Sequence, residues 1–250
     1  MPRSASRSRL GAPYLVPLAL ALIAAAAGWV WRDRLFSAGG ELSPESPDTQ
    51  IRRALQAQTR AQLEDVYGFR AGGTAELTPV RFRDVVASVE GQRATVVAMM
   101  DAEGRVAWRD QAADLSYLGR ERFHMRPCRI ALWCGDGDQF ERLREVLRLL
   151  FRRLDAFQAR DAAAYAALVS ERYQDRGLDR RALLARVAAD FRAGPPASIR
   201  VVAWQIRVER DRAEVGEDYQ LAVGGRAPAR LRALFRLERE GERWVFAGGL

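Results

Sequence analysis

The sequence predicts an α+β protein carried behind an N-terminal membrane-spanning helix, with its folded part built as two related units. Three observations lead there. Residues 10–31 form an apolar run without a charge. From Phe140 the chain carries Leu143, Leu147, Leu150, Leu154 and Phe157 at three- and four-residue spacing, one face of a helix, and after residue 197 it alternates apolar and polar residues as strands do. Finally, Val89-Glu90-Gly91-Gln92-Arg93-Ala94-Thr95-Val96 returns 119 residues later as Val208-Glu209-Arg210-Asp211-Arg212-Ala213-Glu214-Val215, with five of eight positions identical.

Composition narrows the function classes. The 250 residues are 48% apolar, with 40 basic and 32 acidic residues, which is incompatible with intrinsic disorder. Two cysteines do not make a disulfide scaffold, and the single histidine, His124, argues against a haem or multi-metal enzyme. The net charge of +8 does not imply nucleic acid: every cation is Arg, there is no Lys or Asn, and Arg alternates with acids, as in Glu141-Arg142-Leu143-Arg144-Glu145. No nucleic-acid partner is expected.

Residues 1–9 are a basic segment with Arg3, Arg7 and Arg9. Residues 10–31 follow as the transmembrane anchor; as a helix these 22 residues would span about 33 Å, slightly more than a hydrocarbon core. Tyr14 stands near one end and Trp29 and Trp31 at the other, in aromatic-belt positions. The excess of Arg before the run over Arg32 and Arg34 after it favours the N-terminus in the cytoplasm. Ala25-Ala26-Ala27-Gly28 would also serve as a signal-peptide cleavage site, but the apolar run continues to Trp31, which fits an uncleaved anchor better. Both readings export the bulk of the chain; the expected location is a bacterial inner membrane, single-pass, with the C-terminal part in the periplasm. Residues 32–48 read as a linker, with Gly39-Gly40, Ser43-Pro44 and Ser46-Pro47, and Asp48 or Thr49 can cap the next helix.

Residues 49–138 form the first unit, abbreviated to one helix and a set of strands with a tight turn at Gly91-Gln92. Cys128 and Cys134 would lie roughly 20 Å apart on one extended strand, so a bridge needs the chain to bend there; export would permit one. Cys134 with His124 is too little for zinc, and Gly135-Asp136-Gly137-Asp138 lacks the calcium-loop spacing and reads as the turn between units. No phosphate-binding glycine loop or nucleophile elbow is present, so neither metal nor cofactor is expected.

Residues 139–250 form the second unit. The long helix comes first; Asp161 can cap a second, Ala162 to Ser170, and Asp179 a third, whose apolar face is Leu183, Leu184, Val187 and Phe191 and which Gly194-Pro195-Pro196 stops. Four strands follow, Ser198–Arg210, Arg212–Val223, Ala229–Glu238 and Glu242–Gly248.

Phe157-Gln158-Ala159-Arg160-Asp161, Tyr165, Leu168-Val169-Ser170, Tyr173 and the ending Gly241-Glu242-Arg243-Trp244-Val245-Phe246 resemble the NTF2-like superfamily, the SnoaL and ketosteroid-isomerase-like, cystatin-like α+β cones. The resemblance covers Phe140 to Leu250 well and residues 47–138 weakly. It implies a curved sheet wrapped on a long helix, a cone with a pocket at its open end. The superfamily holds isomerases, dehydratases, ligand binders, transport factors and membrane-anchored secretion-system subunits, and a fold alone does not choose among them.

Period-two alternation assigns the lining of the second cone without that resemblance. Trp204, Ile206 and Val208 face inward, then Val215, Glu217, Tyr219, Leu221 and Val223, then Leu231, Ala233, Phe235 and Leu237; Arg230, Arg232 and Arg236 face out, where an acidic partner surface would fit. Tyr165, Trp204, Glu217, Tyr219 and Phe235 are thus the candidate ligand-binding residues, though such a lining also serves as plain core. Glu217 is the one catalytic candidate: buried, it would take up its proton more readily and suit a general acid or base, with Tyr165, Tyr173 or Tyr219 as oxyanion donor. The other reading places it solvated at the mouth or paired with an arginine. Its counterpart in the first unit is Ala98. The function expected is a membrane-anchored, non-enzymatic binding or scaffolding subunit of an envelope assembly. Its partners would be the bilayer through residues 10–31 and another envelope protein or a second copy. The alternatives are an isomerase- or dehydratase-type pocket enzyme and a carrier of an apolar ligand.

Overall fold

A computed structural model describes residues 45–67, 72–129, 132–137 and 139–250. The basic segment, the apolar run 10–31 and the linker up to residue 44 lie outside the described residues. Among the described residues no helix is long and apolar enough to cross a membrane. In chain order the elements are α1 (Pro47–Gln56), β1 (Ala61–Leu63), β2 (Gly73–Glu90), β3 (Arg93–Trp108), β4 (Gln111–Pro127), β5 (Trp133–Gly135), α2 (Glu141–Gln158), α3 (Ala162–Ala166), β6 (Gln174–Asp175), β7 (Leu178–Asp179), α4 (Arg180–Ala193), β8 (Ala197–Glu209), β9 (Arg212–Val223), β10 (Ala229–Glu240) and β11 (Arg243–Gly248). This is an α+β fold with helices packed on a mixed sheet.

The helix caps follow the polar residues that precede apolar stripes. Asp161 accepts from the Ala164 amide at 2.9 Å and Asp179 from the Ala182 amide at 2.7 Å, as the sequence predicts. At α1 the cap is Ser46, not Asp48 or Thr49, because Pro47 suits the first helical position, where its missing N–H costs nothing. The second helix of the C-terminal half stops at Ala166, short of Ser170. Beyond it the chain straightens so that Leu168 and Ser170 pair with the Phe246 backbone and cover the β11 edge.

The sheet runs β1-β2-β3-β4-β8-β9-β10-β11, with β5 also paired to β4. Every junction is antiparallel except one. Where the N-terminal and C-terminal halves of the sheet meet, β4 and β8 lie parallel from Asp114↔Ala203 to Gly119↔Val208. The stretches expected as tandem units therefore share a single sheet and, from Ser46 on, one compact body. The β2–β3 turn and the β8–β9 turn both close antiparallel ladders.

One apolar core lies on the inward face. Alternation puts Val96, Ala98, Met100 and Val106 of β3, Leu115, Tyr117 and Phe123 of β4, and Trp204, Ile206 and Val208 of β8 under Leu143, Val146, Leu147, Leu150, Phe151 and Leu154 of α2. Trp108 stacks on Trp204 with ring centroids 5.2 Å apart, and Phe151 of α2 lies against both rings. This aromatic cluster ties the two halves across the parallel seam.

Cys128 and Cys134 are bridged, with Cα atoms 5.8 Å apart. The reach that one extended strand would forbid is supplied by a reversal: β4 ends at Pro127 and the chain returns as β5 beside it, with Trp133 opposite Pro127. Closing so short a loop removes little chain entropy, so replacing both cysteines by serine should cost roughly 2 kcal/mol, read as a lower urea midpoint with unchanged slope.

Candidate functional site

Four polar or charged side chains are buried among the described residues, Glu121, Arg153, Ser170 and Glu217. Two of them meet in the C-terminal half. Glu217 sits on the inward face of β9 at 0% exposure, as its place in the alternation predicts. Arg153 of α2 sends Nη2 to both carboxylate oxygens at 2.6 Å, and the Trp204 indole donates to Oε2 at 2.8 Å. The guanidinium also lies 4.5 Å from the centre of the Phe235 ring. Glu217 is thus paired with an arginine, but deep in the core and not at a solvated mouth. The Arg153 Nε–H has no partner among the described residues.

The structure brings Trp204, Glu217 and Phe235 together around Arg153. Tyr219 stands next to them on β9, half-buried at the rim. Tyr165 belongs to a smaller cluster with Ala156, Val169, Tyr173 and Leu183, its ring edge-on to Phe191 at 6.0 Å. Burial pushes the Tyr165 phenol up to about 12, partly offset by the nearby Arg153, so at neutral pH it is a hydrogen-bond donor and not an acid. Tyr173 exchanges hydrogen bonds with the backbone of Leu250, which commits it to holding the C-terminus.

Sequence reasoning missed Arg153, and the signal was present. It stands three residues after Leu150 and seven after Val146, inside the apolar stripe of α2, where a lone charge requires a buried counter-ion.

Glu121 was missed too. It lies on the inward face of β4 in the run Leu115, Tyr117, Gly119, Glu121, Phe123, at 0% exposure. Its Oε1 accepts from the Leu143 amide at 2.9 Å and from the Tyr117 hydroxyl, and its Oε2 from the Arg142 amide at 3.3 Å. Phe140, the residue at the cap position of α2, is left-handed and makes no side-chain cap. A carboxylate from the sheet therefore caps the long helix from outside it, where the helix dipole favours an anion. Desolvation outweighs these bonds and raises the Glu121 carboxyl to about 7. Gly119 makes the arrangement possible, because a Cβ there would collide with the Tyr117 hydroxyl. Gly119→Ala should displace that ring and lower the thermal midpoint by several degrees, whereas Gly91→Ala, at an open turn, should act only through its positive φ.

Ser170 is the fourth buried group. Its hydroxyl lies 2.8 Å from Glu238 and 2.7 Å from Glu240, with Arg172 alongside, and it fixes the turn that covers β11. Among the described residues no three His, Cys, Asp or Glu side chains are grouped as a metal ion would need. Two open clefts lie on the outer side of the sheet. One of about 590 Å³ is bordered by Glu76, Arg105, Asp114 and Gln205, and one of about 620 Å³ by Leu118, Arg207, Gly216 and Leu234.

No family model and no curated protein matches the chain. Solved structures similar to it include a candidate dehydratase of the NTF2-like family from Streptomyces avermitilis (12% identity, 42% of this chain and 91% of that one, TM-score 0.38). An NTF2-like protein of unknown function from Pseudomonas putida KT2440 is 16% identical over 45% of this chain and 86% of its own, with a TM-score of 0.40. A domain of unknown function with a cystatin-like fold from Nostoc punctiforme is 15% identical over 44% of this chain and 76% of its own, with a TM-score of 0.37. These neighbours carry the NTF2-like and cystatin-like names of the family that the sequence resembles.

Proposed function

We propose that this chain is a non-enzymatic binding or scaffolding protein, held in a bacterial inner membrane by residues 10–31 with its folded part in the periplasm. The observation that carries the reading is the fate of the inward-facing carboxylates. Glu217 is closed off by Arg153 and Trp204, and Glu121 is spent on the α2 amides and Tyr117. A general acid or base must reach a substrate proton, and neither group has an oxygen open to solvent. Two of the open clefts lie on the outer side of the sheet, where a protein partner would sit. The Cys128–Cys134 bridge supports export, since such bonds persist in oxidising compartments.

Photo-cross-linking of the full-length protein in its native membrane, with the probe at Gln205 in the outer clefts, tests the reading. The expected result is a discrete adduct with another envelope protein or with a second copy. Release of the chain by alkaline extraction, or reduced cysteines in freshly trapped cells, would count against the location.

The carrier alternative draws on the half-buried rim of Tyr219, Leu221 and Ala233, next to Leu231 at 40% exposure. A lipid-like compound co-purifying under native conditions would favour it. The enzyme alternative requires Glu217→Gln to abolish turnover in a protein that still folds.

A further inference from the structure

We infer that the C-terminal half holds a site for an apolar small molecule bearing a neutral hydrogen-bond acceptor, bordered by α4 and β9 and floored by Arg153, Tyr165 and Tyr219. This goes beyond the scaffold reading and rests on the carrier alternative, whose ligand class it supplies; neither the outer clefts nor residues 10–31 enter it.

The first observation is a seam in the packing. The main core and the smaller group around Tyr165 are separate clusters of buried apolar side chains. Half-buried residues line both margins, Tyr219, Leu221 and Ala233 on the sheet and Leu184, Val187 and Phe191 on α4. Helix α4 is 14 residues long, yet only Leu183 among them is buried. Its Asp179 cap and the Arg160 bonds to the Phe191 and Gly194 carbonyls hold both ends, so the apolar stripe between them stays only half covered. Leu231, opposite Tyr219 on β10, is 40% exposed and opens this margin to solvent.

The second is a set of donors without acceptors. Arg153 is 7% exposed, and its Nε–H has no partner among the described residues. Tyr165, also at 7%, and Tyr219 make no hydrogen bond through their hydroxyls among the described residues. Burial raises both phenols, so each keeps its proton. The three are neighbours. Tyr219 lies two residues beyond Glu217 on β9, Arg153 holds Glu217, and Tyr165 packs with Ala156, one turn along α2 from Arg153. Both oxygens of Glu217 are already taken, by Arg153 and Trp204. Three donors thus share a region that offers them no acceptor, which is costly unless something enters to accept.

Charge then selects the class. Arg153 and Glu217 neutralise each other, so a carboxylate or phosphate head would lie against the Glu217 anion with no net cation to hold it. An amine or a metal ion would meet only donors. An ester or amide carbonyl accepts from two donors at once and brings no charge, and the half-buried margins suit the apolar remainder of the molecule.

The test incubates the full-length chain with methyl 2-naphthoate, with 2-propylnaphthalene, which has a similar shape and no acceptor, and with 2-naphthoate. Hydrogen exchange of the backbone amides is read by mass spectrometry. The ester should slow exchange in α4 and leave α1 unchanged. Tyr165→Phe and Tyr219→Phe keep the rings, and each should raise the ester concentration for half-protection about three- to tenfold while leaving that for 2-propylnaphthalene unchanged. Comparing variants with one and the same probe cancels its partition into detergent or bilayer. If Tyr165→Phe does not fold, as judged by circular dichroism, Tyr219→Phe at the half-buried rim carries the comparison. An ester curve that a folded variant leaves unmoved overturns the inference, and so does tighter binding of the naphthoate anion than of its ester. Equal protection by ester and hydrocarbon refutes the acceptor class but not the carrier reading. Exchange in α4 that none of the three probes slows refutes both.

Discussion

Arg153→Met should destabilise the folded part by roughly 3–5 kcal/mol, the range for stripping one partner from a buried ion pair. The loss comes from what stays behind: Glu217, at 0% exposure, would keep only the Trp204 indole as a donor and would have to take up a proton or draw in water. Arg153→Met combined with Glu217→Leu should recover most of the loss, because two well-packed apolar side chains remove both desolvation penalties. Urea unfolding of the two single variants and the double variant, followed by circular dichroism, gives the coupling directly. A near-neutral Arg153→Met would mean that the pair is hydrated, and it would reopen Glu217 as a reactive group.

Glu121→Gln should change how stability depends on pH. The folded-state carboxyl is raised by burial to about 7 from an ordinary 4.5. Below pH 4.5 both the folded and the unfolded chain hold the proton. Between 4.5 and 7 the folded protein holds a proton that the unfolded chain has released, so this group's contribution to stability falls as pH rises through the window and levels off above it. The change amounts to roughly 3 kcal/mol at 1.36 kcal/mol per pH unit. The difference in unfolding free energy between wild type and Glu121→Gln should shift by about that amount from pH 4.5 to 7, with the variant gaining on the wild type as pH rises. A difference that stays flat with pH would mean that Glu121 remains ionised throughout, held by Tyr117 and the α2 amides.

Much of the fold was legible because period two and period three-and-a-half patterns act locally. The inward set Trp204, Ile206, Val208, Val215, Glu217, Phe235 and Leu237 lies where alternation places it, and the α2 stripe is buried from Leu143 to Leu154. The side-by-side joining of β4 and β8 was not legible, because a parallel pairing between residues about ninety positions apart leaves no mark in local alternation. The candidate site was half legible. Glu217 stood out as a carboxylate on an apolar face, yet its partner could be found only by reading the same anomaly on the helix, where Arg153 interrupts the stripe. Glu121 escaped because it answers a vacancy elsewhere: Phe140 offers α2 no side-chain cap, and a residue nineteen positions earlier supplies it. The Cys128–Cys134 bridge hinged on a chain reversal that spacing alone does not reveal.

The side-by-side junction of β4 with β8 means that the two halves of the sheet cannot be parted into working pieces. A protease cut or premature stop between them would strip lateral backbone partners from six consecutive positions on each strand and bare the aromatic stack beneath. Such fragments would be sticky and would seek a replacement strand, so exchange of halves between neighbouring molecules is the characteristic failure to look for when this protein is truncated or overproduced.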